Sequence, residues 1–87
     1  MAEYQILYWK DLPAQVRARD GKTQVKKVLP ERFQQAIDAR AMLEEATDEE
    51  SYLAAWRWSD WHTRAGDAQT VLDQVVAELE AYMEPRR

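Results

Sequence analysis

The dipeptide Asp20-Gly21 sits between two runs in which polar and apolar residues alternate. Asp-Gly in such a setting is the signature of a two-residue type I′ turn, because both central residues need positive φ. Closing that turn on Arg19 and Lys22 sets a register in which Ala18 opposes Thr23, Arg17 opposes Gln24 and Val16 opposes Val25. Val16, Ala18, Thr23 and Val25 then share one face. Gln15, Arg17, Arg19, Lys22, Gln24 and Lys26 share the other. Turn chemistry and side-chain pattern agree, which predicts an antiparallel hairpin over Ala14–Val28. An antiparallel hairpin with one apolar face must be part of a larger sheet covered on that side.

The rest of the chain supplies the sheet and its cover. Tyr4–Trp9 alternates with apolar residues on both faces, Tyr4, Ile6 and Tyr8 against Gln5, Leu7 and Trp9, as expected of a central strand. Lys10-Asp11-Leu12-Pro13 turns the chain. A helix is predicted from Leu29-Pro30-Glu31-Arg32, with proline in its first turn and Phe33, Ala36, Ile37 and Ala41 as its apolar stripe, fading near Glu44–Ala46. Thr47 and Glu50 fit a capping box, so a helical turn can open at Asp48 and run as far as Ala55; the favoured reading is a short turn that leads to a strand over about Tyr52–Trp58. Gly66-Asp67 ends the following loop, and Asp67 caps the last helix. Ala68, Val71, Leu72, Val75, Val76 and Leu79 recur at three and four in that helix, which Pro85 stops. The order is β-β-β-α-β-α. The expected fold is α+β: one domain over residues 1–87, two layers, a four-stranded, mostly antiparallel sheet with two helices on one face.

Composition removes several chemistries. With 87 residues and no cysteine, the chain has no disulfide framework, no thiol catalysis and no cysteine-held zinc or iron–sulfur site. Its two glycines, Gly21 and Gly66, are too few for a glycine-rich phosphate loop. No apolar run reaches membrane-spanning length and no signal-peptide pattern opens the chain, so the cytoplasm is the expected compartment. The net charge of -4 disfavours nucleic acid as a partner. That charge is uneven. Lys10 to Lys27 holds six basic and two acidic residues, and Asp38 to Glu50 holds six acidic residues and one arginine.

Function concentrates in YLAAWRWSDWH, Tyr52–His62, which contains three of the four tryptophans and the only histidine. Trp56 and Trp58 read as core, since large aromatics supply much of a small domain's buried area. Trp61, after the Ser59-Asp60 turn signal, reads either as a lid over the core edge or as a partner anchor. Trp9, Arg57, Trp58, Trp61 and His62 form the predicted partner-binding set. Arg17, Arg19, Lys22 and Lys26 form a basic hairpin face, either a charge-protected edge or a surface for an acidic protein or nucleic acid. Ser59, Asp60 and His62 do not make a triad by adjacency. The Glu44-Glu45 and Asp48-Glu49-Glu50 run lacks the spacing of a calcium loop and reads as a solvated face. No catalytic residue, metal site or cofactor is expected. A protein partner is, with a second copy of the chain as a further candidate.

YQILYWKDLPAQVRA at Tyr4–Ala18, LPERFQQAIDARAM at Leu29–Met42 and YLAAWRWSDW at Tyr52–Trp61 together resemble the small bacterial virulence factor domain family, named after a conserved staphylococcal virulence factor. The resemblance covers nearly the whole chain. In larger relatives such a domain is joined to an iron–sulfur-scaffold-like domain and helical repeats. The resemblance implies a bacterial domain and carries over no catalytic residues. It also implies an alternative role as an accessory protein of corrinoid and folate methyl transfer. The leading expectation is a non-enzymatic protein-interaction domain.

Overall fold

The computed structural model describes residues 1–43 and 49–83. In chain order the elements are β1 (Ala2–Trp9), β2 (Leu12–Asp20), β3 (Thr23–Val28), α1 (Glu31–Leu43), α2 (Glu49–Ala54), β4 (Trp56–Trp58), β5 (His62–Arg64) and α3 (Ala68–Met83). They build a five-stranded antiparallel sheet ordered β3-β2-β1-β4, with β5 also paired to β1. The α+β, mostly antiparallel architecture agrees with the sequence reading. Two short elements, α2 and β5, are additional.

The hairpin forms, in a register different from the expected one. Asp20 pairs with Thr23, Ala18 with Val25 and Arg17 with Lys26. The turn is therefore Gly21-Lys22, and Asp20 stays in the strand. Gly21 takes φ +60 and Lys22 does not share the positive φ, the arrangement of a turn that needs glycine only at its first central position. A left-handed aspartate is thereby avoided. The slip moves β3 by two residues, so the residues that stay in the strands keep their predicted faces, while Lys22 passes from the basic face into the turn. Tyr52 is a second departure: it lies in α2, and strand pairing starts at Trp56. The capping-box residues Thr47 and Asp48, the Glu44–Ala46 helix end and Pro85 lie outside the described residues.

One core lies between the sheet and α3. Ala2, Ile6, Val16 and Ala18 from the strands meet Ala68, Val71, Leu72, Val75 and Val76 from α3, with Leu29 and Phe33 joining them. Burial of the valine, leucine, isoleucine and phenylalanine side chains among them contributes roughly 1.5–3 kcal/mol each. A second, smaller cluster joins Trp9 to Ile37 and Ala41 of α1, edged by Leu12, Tyr52, Ala55 and Trp56. Alternation along β1 puts Trp9 on the side opposite Ile6 and Tyr8. Helix α1 thus serves both clusters, with Phe33 in the first and Ile37 in the second.

Trp9 is fully buried, which corrects its assignment to a partner surface. Its indole N–H donates to the Tyr52 carbonyl at 2.9 Å, and the Tyr52 ring lies 5.6 Å from it, centroid to centroid. The Lys10 backbone N–H donates to the Ala55 carbonyl at 3.0 Å. Helix α2 is therefore tied down over this end of the sheet.

Asp67 caps α3 as expected: its Oδ1 accepts the Thr70 backbone N–H at 2.8 Å. That hydrogen bond holds the carboxyl below its usual range. A carboxylate lowered on folding stabilises the native state above its unfolded pKa, and the gain disappears as pH falls through the folded value. Asp67→Ala should therefore lower Tm by a few degrees at neutral pH, with the gap to the parent closing in strong acid; calorimetry across pH checks this. Trp9→Ala should cost about 3–5 kcal/mol in denaturant unfolding, as expected for a buried large aromatic.

Candidate functional site

The candidate site depends on one inserted residue. Leu7 pairs with Trp58 in β4, and Tyr4 pairs with His62 in β5. Three steps back along β1 thus correspond to four steps forward from Trp58, which is the mismatch of a β-bulge. Ser59 anchors the bulge. Its N–H donates to the Ile6 carbonyl at 2.8 Å, its Oγ accepts the Ile6 N–H at 3.0 Å, and its carbonyl accepts from Gln5 Nε2 at 2.9 Å. The extra residue inverts the alternation of side chains beyond it. Trp61 consequently emerges on the same side as Trp58, and His62 crosses to the other side, beside Tyr4 at 5.4 Å between ring centroids.

On the Trp58 side, away from α3, two arginines of β2 stack with the two indoles. The Arg17 guanidinium lies 3.9 Å from the Trp58 ring centroid and 5.2 Å from that of Trp61. The Arg19 guanidinium lies 3.7 Å from the Trp61 ring. The result is a ladder of alternating indole and guanidinium, Trp58, Arg17, Trp61, Arg19, in which each cation meets the electron-rich face of a ring. Residues of β1 aim the cations. Gln5, buried beneath them, accepts at Oε1 from Arg17 Nε (2.8 Å) and from Arg17 Nη2. Glu3 accepts from Arg19 Nε at 3.2 Å. Both tryptophans and both arginines are half-exposed. Lys26 joins the same side opposite Arg17, and Glu3 is the one carboxylate among the strand-paired residues of this face.

The ladder unites Trp58 and Trp61 with Arg17, Arg19 and Lys26, which the sequence reading had kept as separate sets. Lys22 sits at the tip of the hairpin turn. Three residues of the predicted partner set lie elsewhere. Trp9 is core. Arg57 pairs with Tyr8, so it leaves the sheet on the other side; it also lines a cleft with Lys10, Asp11 and Arg40. His62 was moved off the tryptophan face by the bulge. Gln5 and Glu3 were missed; the visible signal was a glutamine and a glutamate at alternate positions of an otherwise apolar central strand.

Catalytic arrangements gain no geometry. The Ser59 hydroxyl donates to the Asp60 carbonyl at 3.0 Å while accepting from Ile6, so it is committed to backbone on both sides. Among the described residues no three His, Asp or Glu side chains gather as metal ligands. No helix there is long and apolar enough to cross a membrane.

A family model described as "Virulence factor" matches residues 7–87. The chain belongs to the virulence factor family. No curated protein and no solved structure matches it. The span matched by the virulence factor model includes all four rungs of the ladder, whereas Glu3 and Gln5 precede it. Gln5→Leu should release the Arg17 guanidinium: the Nε–H signals of Arg17 and Arg19 should both be seen by NMR at neutral pH in the parent, and in the variant that of Arg17 should exchange too fast to observe while that of Arg19 persists.

Proposed function

We propose that this virulence factor domain is a non-enzymatic interaction module that docks a protein partner on the Trp58–Arg17–Trp61–Arg19 face. The observation that carries the reading is the ladder itself. Tryptophan and arginine are the side chains that most often dominate interface energy. Here they are half-exposed, adjacent and held in place by Gln5 and Glu3, so ordering them on binding costs little further entropy. Arg57 and His62, on the opposite side of the sheet, drop out of the docking set. The compartment we assign is the bacterial cytoplasm, the default for a chain without cysteine.

A tagged copy expressed at natural levels should capture one protein in stoichiometric amount, identified by mass spectrometry. Trp61→Ala should abolish that capture and shift Tm by only a few degrees, because the ring lies on the sheet and not in either core cluster. Equal capture by the variant, or a collapse of Tm, would overturn the reading.

A further inference from the structure

Arg17 and Arg19 stand at alternate positions of β2, so their side chains leave the sheet about 7 Å apart. Carboxylates at alternate positions of any extended chain repeat at the same interval. The Arg17 hydrogen bonds go to the neutral amide oxygen of Gln5, so among the described residues no carboxylate is bonded to this cation. Glu3 meets Arg19 through Nε alone. Each guanidinium therefore keeps donors for a further oxygen, already oriented and desolvated on one face by an indole. Lys26 continues the positive strip across β3.

We propose that the partner presents an extended acidic segment to this face, with side-chain carboxylates at alternate positions meeting Arg17 and Arg19 as charge-assisted, fork-like pairs. The proposal rests on the docking reading above and names its partner class. Charge and stacking favour it over the other occupants. A second copy would set two cationic faces against each other. A nucleic acid strand would need open indole faces for its bases, and a guanidinium already covers one face of both Trp58 and Trp61.

The probe is a blocked heptapeptide of alternating threonine and glutamate, titrated into the intact protein and followed by tryptophan fluorescence. The peptide should bind saturably, and the matching threonine–lysine peptide should not. The Arg17→Ala/Arg19→Ala double variant, its fold checked by circular dichroism, should bind at least about tenfold more weakly. Arg17→Lys/Arg19→Lys keeps the charge but loses the planar fork, and should also weaken binding; this guards against misfolding of the alanine variant. Arg57→Ala should bind as the parent does. Absence of saturable binding, parental affinity in both double variants, or tighter binding of oligothymidylate than of the acidic peptide would overturn the proposal. If the peptide fails while Trp61→Ala still abolishes capture of a cellular protein, docking stands and the acidic-segment proposal falls.

Discussion

Strand β1 must satisfy hydrogen-bonding groups along both edges, and everything else in the domain is arranged by how it does so. One edge pairs with β2. The other is shared between β4 near Trp9 and β5 near Ala2. Those two short strands are one crossing of the chain interrupted at Ser59. The interruption costs little because Ser59 and the Gln5 side chain occupy the backbone groups that a continuous ladder would have used. An unpaired group at this depth would be far more expensive. Gln5 therefore acts twice, closing the bulge with its amide nitrogen and aiming Arg17 with its oxygen.

The same strand separates two kinds of burial. Towards α3 it shows Ala2, Ile6 and Tyr8, and a conventional aliphatic core results. Burial, with Tyr4 adding to it, raises the Tyr8 phenol pKa. Arg64 of β5 makes a fork to Glu78 of α3 at 2.6 and 3.0 Å, which fastens the helix to the sheet at its edge and holds the Glu78 carboxyl below its usual range. On the reverse side, only the Trp9 end is covered, by α1 and α2. Among the described residues no helix closes the remaining stretch, and there the arginine–tryptophan ladder lies over Gln5 and Glu3 of β1. Aromatic area and fixed positive charge are thus presented together on a largely acidic molecule.

Much of this was legible in the residues. The period-two runs named the strands, the spacing of Val71, Leu72, Val75 and Val76 named the packed face of α3, and Asp67 named its cap. Arg17, Arg19 and Lys26 shared a face under the expected register and under the observed one, because the slip was by two. Tyr52–Trp58 misled because alternation and aromatic content look like a strand whether or not the first residues are helical. Tyr52 is helical because its ring and carbonyl are needed over Trp9, a tertiary demand that local propensity does not record.

The sequence by itself determined the α+β class, the antiparallel hairpin and the long C-terminal helix, since each rests on local periodicity or turn chemistry, and it showed tryptophan gathered in Tyr52–His62 and basic residues in Lys10–Lys27. Only the tertiary structure decided which of those side chains meet. A single residue inserted opposite β1 turns Trp61 toward Arg17 and Arg19 and turns His62 away, and the packing of α1 and α2 over Trp9 takes that indole into the core. Both outcomes follow from contacts between residues far apart in the chain, Gln5 with Ser59 in one case and Trp9 with Tyr52 in the other, and no local pattern encodes on which side of a sheet a bulged strand will resume.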